Sequence, residues 1–452
     1  MTSQQFSADR LAAMTASRLS RRRFAQGLAA TPLVAGAASR GITPARAQDT
    51  VQVKFWTHTH PPMVEQNEAA IAEFMAANPD IEVLYEIIPN MNFAEKMLSS
   101  MGTGTGPDVI NMDDNQMRAT YIPRGLVQEV DLAALGFDSL DALNAAYIPG
   151  AFEGATADGK IYGLPSEFNV TAFAINTEAF EEVGLDPAAP PATWDEVGAM
   201  GQELVIRDGD TMTRRGFDFL YLHEGWYHNQ LGTLLLQTGG RYVAEDGTTV
   251  TVNQPEAVAA LQIWYDMIYE YQIADPNVAS REATVPYQDF LDGKVAMSLM
   301  NPWGMGLVTP ESAIFEKYAI VPLPQYDIDN PVTPLYAYYW AVNAQTTDER
   351  TREAAFKLVS FLASQPGPWL QNVNFIQPRA GWDELEEAKS FPFFDIWAGE
   401  MLKGQFQPVT PKGPEIDNIM QQTIESSVLT GVPPQEAMDQ AATQIEAVLA
   451  QG

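Results

Sequence analysis

The stretch GKIYGLPSEFNVTAFAIN, Gly159 to Asn176, decides the fold. It opens as a turn, becomes β-like at Ile161 and stays largely apolar past Pro165 as far as Asn176. Strands in globular proteins usually run about 5–6 residues, so this segment is either two strands in series or one segment shared between two bodies. The second reading predicts that Ile161–Pro165 finishes one sheet and Val170–Ile175 starts the next. Ser166, Glu167, Phe168 and Asn169 then sit at a waist. YAIVPLPQ, Tyr318–Gln325, is the expected return crossing. Paired crossing strands work as a hinge, because a few residues absorb the dihedral change while both bodies stay rigid.

The rest of the chain agrees with two bodies. Its 452 residues exceed what one hydrophobic core supports, and no low-complexity linker interrupts them. VQVKFW, PMVEQNEAAIAEFMAANPD, IEVLYEII, NFAEKMLSSMGTG and PDVINM read as strand, helix, strand, helix, strand. That order implies a parallel, helix-covered sheet. In the first helix Val64, Glu68, Ile71 and Met75 fall on one helical face, and the helix ends at Asn78-Pro79. Functional loops of such sheets lie beyond the carboxyl ends of the strands, here His58-Thr59-His60 and Met112 to Gln116. Later helices are expected in TWDEVGAMGQELVI with Thr193 as N-cap, in NQPEAVAALQIWYDMIYEYQI, in TTDERTREAAFKLVSFLAS and in PPQEAMDQAATQIEAVLA.

Residues 1–47 read as a leader. Arg21-Arg22-Arg23-Phe24 precedes a broken apolar run, and Ala45-Arg46-Ala47 offers an A-x-A cleavage pattern. Ser20 to Phe24 resembles the twin-arginine export signal; cleavage after Ala47 leaves Gln48 first. The leader holds seven Arg and one acidic residue, so the remainder has 19 basic and 57 acidic residues, a net charge near −38. Such a chain repels phosphate backbones and anionic lipid, which argues against nucleic-acid partners. Without cysteine there is no disulfide, no thiolate metal site and no lipid-bearing cysteine anchor.

Several residues suit a polyol. A pyranose lays its C–H face on an aromatic ring and needs hydrogen bonds along its hydroxyl edge. Trp303, between Pro302 and Gly304 after a predicted strand, fits stacking better than core packing. Trp226 divides evenly between the two roles, whereas Trp264 sits on a helix face that suits a core. His58-x-His60 points one way on extended chain but lacks a third ligand nearby, so no metal is expected. Asp113 and Asp114 read as solvated or capping carboxylates rather than a catalytic pair, and Asn115 and Gln116 both donate and accept. Glu167 either bonds a hydroxyl or faces water. MGTGTGPD lacks the context of a phosphate loop.

In order and spacing, GPDVINMDDNQMRATYIPRGLVQEVD, DGKIYGLPSEFNVTAFAIN, PPATWDEV, FLDGKVAMSLMNPWGMG, VPLP and AAFKLVSFLAS resemble the extracellular solute-binding proteins of ABC importers. The likeness is to the branch that includes maltose- and other sugar-binding proteins. It implies an α/β fold of the two-lobe, type II periplasmic-binding kind. Each lobe is a helix-covered, mainly parallel sheet, with the ligand cleft between. The implied division is 48–168 with 322–364, and 169–321 with 365–452. Family ligand positions fall on His58, Thr59, His60, Met112, Asn115, Gln116 and Asn169, on Trp226, Tyr227, His228 and Asn229, and on Trp303. Arg379, Lys412 and Glu415 match a C-terminal loop. Where relatives have glycines, this chain has Tyr338, Tyr339 and Trp340, which either shrink the cleft or stack on the ligand. The resemblance further implies a carbohydrate ligand, permease subunits as partners, a periplasmic monomer, no cofactor and no catalysis. Two alternatives stay open: an anionic polyol such as a sugar phosphate, glycerol phosphodiester or sulfonated sugar, held by Arg379 and Lys412, and an exported glycoside-acting enzyme.

Overall fold

The computed structural model describes the backbone of residues 50–219, 226–278, 285–408 and 412–451. The expected leader, residues 1–47, lies outside them. Residues 49–452 form one compact unit built on two main sheets.

The first sheet grows from the alternating segments read above. Strand β1 (Val51–His58), helix α1 (Pro61–Ala77), β2 (Ile81–Ile88), α2 (Asn90–Gly102) and β3 (Val109–Asp113) follow one another, with β2 and β3 parallel to β1 on either side. The buried α1 face differs from the one read above. Met63, Gln66, Asn67, Ala70, Ile71 and Phe74 are buried, while Glu68 is exposed. Two polar residues are tolerated inside because both are bonded: Asn67 donates to the Tyr85 hydroxyl at 3.0 Å, and Gln66 accepts from Asn372 at 2.8 Å.

The opening segment is two strands in series. Strand β4 (Leu164–Val170) belongs to the first sheet and β5 (Ala172–Asn176) to the second. The break falls at Thr171, later than the expected Ser166–Asn169 waist. The cause is that β4 stays paired as far as Leu335↔Val170, with a bulge that absorbs Ser166. The side chain of Asn301 donates to the Val170 carbonyl at 2.9 Å and to the Thr171 hydroxyl at 3.1 Å, pinning the crossing point.

Helix α3 (Trp194–Leu204) starts at a Thr193–Glu196 capping box. The second sheet then adds β6 (Ile206–Asp208), β7 (Thr211–Phe217), β8 (Val295–Met300) and β9 (Tyr318–Val321), with α4 (Trp226–Thr238) and α5 (Pro255–Tyr269) between β7 and β8. Its order is β9-β5-β8-β7-β6, and only β7 and β8 pair in parallel. The mainly parallel arrangement expected of each lobe therefore fits the first sheet better than the second. The reason is topological: β5 enters from the waist and β9 returns to it, so the two must run oppositely.

The return is mostly loop. After β9, residues 322–332 lead to β10 (Thr333–Val342), which lies in the first sheet between β3 and β4 and antiparallel to both. Buried Glu400 accepts from the Leu323 amide at 3.2 Å and bonds the Thr333 hydroxyl, tying both ends of that loop together. Helix α6 (Glu349–Leu362) packs on β1 and β10. Helix α7 (Pro366–Val373) packs on α1, where the Trp369 ring meets Trp340 at 5.5 Å and Phe375 at 6.0 Å. The stretch from residue 365 was expected with the second lobe, but its first helix sits on the first sheet because these three rings pack together. Helix α8 (Phe394–Leu402) touches β4, β5 and β10, and β11 (Gly404–Phe406) pairs with β10. Helices α9 (Gly413–Thr430) and α10 (Pro434–Leu449) pack on α5. No helix among the described residues is long and apolar enough to cross a membrane.

Candidate functional site

The carboxyl ends of β1 and β3 meet the crossing strands at one place. Strand β10 lies at its centre, and register determines which side chains face it. Tyr338 stands opposite Asp113 on one side and Glu167 on the other, while Tyr336 stands opposite Asn169. Paired residues on neighbouring strands share a face, so these five point the same way. The His58 ring, at the end of β1, lies 5.2 Å from that of Tyr338.

The second sheet supplies the facing wall. Strand β8 ends at Asn301, and a 3-10 turn, Pro302–Leu307, follows. From it the Trp303 indole N–H donates to the Tyr336 hydroxyl at 2.7 Å. The Trp303 ring also packs edge-on against Tyr287 at 4.9 Å and against His60 at 6.3 Å. His60 caps α1 through Nδ1, which accepts from the Met63 amide at 3.4 Å, and its ring stacks on Phe375 at 5.2 Å. The two sheets thus touch through Trp303, Tyr336 and His60.

Solvent reaches the rings and not the floor. His58, His60, Asp113, Trp303, Tyr336 and Tyr338 are half-buried, whereas Glu167 is 3% and Asn169 0% exposed. Among the described residues, Glu167 Oε2, both amide atoms of Asn169 and His58 Nδ1 have no hydrogen-bond partner. Buried polar atoms are paired as a rule because leaving one unpaired costs about 1–3 kcal/mol. Four such atoms close to Tyr336 and Tyr338 make this the candidate site.

Burial dominates the electrostatics. It pushes the Glu167 carboxyl up to about 8; Asn169 lies close enough to draw it back part of the way, though outside hydrogen-bond geometry. Burial raises Asp113 to about 6, offset in part by the Gln116 amide that it caps. Burial holds His58 at about 4, with the charge of His60 adding to the effect, and burial alone holds His60 at about 4. Tyr336 and Tyr338 are pushed well above the usual phenol range by burial and then by Glu167 and Asp113 respectively. No Lys or Arg among the described residues figures in the charges acting on these six groups.

The structure brings together His58, His60, Asn169, Trp303 and Tyr338 of the residues read from sequence. Asn115 is exposed and Gln116 half-buried in the turn that follows Asp113. Thr59 is exposed and turned to β2, its hydroxyl donating to the Ile88 carbonyl at 3.2 Å. Tyr339 and its partner Met112 occupy the opposite face of β10. The Tyr339 hydroxyl is used there, donating to the Ala151 carbonyl at 3.0 Å and accepting from the Gly154 amide at 3.2 Å. Arg379 lies over the Tyr147 ring at 4.5 Å, beside the same Ala151 loop. Lys412 donates to the Val448 carbonyl at 2.9 Å, and Glu415 is exposed in the first turn of α9. The side chains of Trp226, Tyr227, His228 and Asn229 lie outside the described residues. Tyr336, Phe375 and the carboxyls of Glu167 and Asp113 complete the group. Strict alternation along LYAYYWAV finds Tyr336 as the partner of Tyr338, in preference to Tyr339. Among the described residues no three His, Asp or Glu side chains converge as a metal set.

Comparison with known proteins agrees with this architecture. Maltose-bound MalE3 of T. maritima superposes with a TM-score of 0.76 at 22% identity, covering 88% of this chain and 100% of that one. The sn-glycerol-3-phosphate-binding periplasmic protein UgpB of Escherichia coli is 22% identical over 428 residues, 88% of this chain and 92% of that protein. An arabinooligosaccharide-binding protein of Halalkalibacterium halodurans is 24% identical over 286 residues, 62% of this chain and 60% of its own length. The family description "bacterial extracellular solute-binding protein" matches residues 61–367. With that match over most of the chain, and with two sheets joined by crossing strands, the chain belongs to the bacterial extracellular solute-binding proteins.

Proposed function

We propose that this protein captures a sugar or oligosaccharide in the groove between its two sheets and hands it, unaltered, to the membrane permease of an ABC importer. One observation carries the reading: polar atoms of Glu167, Asn169 and His58 without a partner among the described residues lie at the foot of half-buried rings from Trp303, Tyr336 and Tyr338. Hydroxyls complete such a floor, and a C–H face stacks on such rings. Relatives and neighbours named for maltose and arabinooligosaccharides support it. A phosphate- or sulfonate-bearing solute fits less well, because Arg379 and Lys412 are engaged elsewhere. Residues 1–47 serve as a twin-arginine leader that delivers the folded protein to the periplasm, where it works as a monomer without cofactor.

Calorimetric titration of the leader-free protein with mono-, di- and oligosaccharides tests this. At least one sugar is expected to bind near micromolar affinity, about −8 kcal/mol, and to be recovered unchanged. Silence across the panel, or turnover of a chromogenic glycoside, contradicts it.

A further inference from the structure

Buried Glu167 ionises only if something bound beside it offers more than the hydroxyl of a neutral sugar. Glu167 is 3% exposed and its Oε2 has no partner among the described residues. Asp113 flanks the same Tyr338 ring from the opposite strand; with neighbouring strands about 4.8 Å apart, the two backbones lie about 10 Å from each other across it. A carboxylate withdrawn from water needs a proton, several donors or a positive charge. The described groups around it supply no cation. His58 and His60 are held neutral by burial, Asn169 is out of bonding geometry, and no described Lys or Arg acts on the site. The aromatic walls point the same way, since ring faces attract cations, by about 2 kcal/mol or more when desolvated. Tyr336, Tyr338 and Trp303 are all half-buried here.

We propose that the solute selected by this groove carries a positively charged nitrogen, an alkylammonium group, held between the carboxyls of Glu167 and Asp113 and against the rings of Tyr336, Tyr338 and Trp303. This rests on the solute-binding reading above and narrows it to sugars or polyols bearing a basic or quaternary nitrogen. A hydroxyl gives Glu167 a hydrogen bond; an ammonium gives it a counter-charge as well.

The test uses choline and its uncharged isostere 3,3-dimethylbutan-1-ol, titrated separately into the leader-free protein at pH 7.5 with tryptophan fluorescence and calorimetry as readouts. Choline is expected to bind at least about tenfold more tightly than the isostere, a difference of about 1.4 kcal/mol. Glu167→Gln, isosteric and thus expected to fold, is expected to bring that ratio close to one; Asp113→Asn is expected to lower it as well. Equal affinities in the unaltered protein overturn the inference. So does a choline preference that survives both substitutions, or no choline binding up to 10 mM. If neutral sugars bind under those same conditions, the transport reading stands and only the charged-solute inference fails.

Discussion

Glu167 is the residue on which most of the chemistry turns, and its environment makes two predictions about pH. Folded, it keeps its proton up to about 8, whereas the ordinary value is 4.5. Stability contributed by the protonated form is therefore complete below pH 4.5 and is lost as pH rises towards 8. His58 and His60 act in the other direction: folded values near 4 against 6.5 mean stability falls as pH drops through that interval. Glu167→Gln is expected to flatten the decline of melting temperature between pH 5 and 8 and leave the acid side unchanged. A decline unchanged by the substitution contradicts the assignment. A cation that displaces the Glu167 proton should also bind more tightly as pH rises from 6 to 8, by up to about tenfold per unit. Tyr336 and Tyr338 feel Glu167 directly, and Asp113, His58, His60 and Tyr287 lie around those rings and Trp303. Of these only Asp113, raised to about 6, titrates near the interval. Trp303→Ala removes a groove ring and is expected to weaken sugar binding by at least about tenfold, with only a small change in the melting temperature of the empty protein. Normal binding by that variant removes Trp303 from the site.

Among the elements, β10 shows what was legible and what was not. The run LYAYYWAV announces a strand through its aromatics, and its alternation assigns Tyr336 and Tyr338 to one face, Ala337 and Tyr339 to the other. Which face meets the groove depends on β3 and β4, strands far away in sequence, so reading the tyrosines as a local crowd placed Tyr339 there wrongly. The α1 stripe misled for a related reason: Gln66 and Asn67 are buried because of Tyr85 and Asn372, partners no local pattern reveals. The strand–helix succession of the first sheet, the Thr193 cap and the crossing itself were legible because each rests on local chemistry. The bulge at Ser166, which moves the crossing to Thr171, was not, because it answers to β10. Asn301 belongs to this scale too. Asn301→Ala frees the Val170 carbonyl and Thr171 hydroxyl and leaves the Tyr287 hydroxyl without its acceptor. Loss of about 1–3 kcal/mol of stability is expected in urea unfolding; a variant as stable as the parent shows that the crossing is held otherwise.

At the scale of the whole molecule, Trp303 from the second sheet is bonded to Tyr336 of the first, so a solute held beside them touches both sheets. Closing around a solute should therefore add contacts that the unfolded chain lacks. At a solute concentration a hundred times Kd, linkage stabilises the folded state by about 2.7 kcal/mol, which for a body of this size raises Tm by about 3 °C. A binding sugar that leaves Tm unchanged in scanning calorimetry contradicts a solute held by both sheets. Where the solute sits matters most, and a crystal structure of the protein with its tightest-binding sugar tests that directly. The expected result is solute density within hydrogen-bond distance of Glu167 and Asn169 and in contact with the Trp303 ring. Density elsewhere, for example in the shallow depression lined by Ile148, Pro149 and Phe152, with Glu167 and Asn169 untouched, would contradict it.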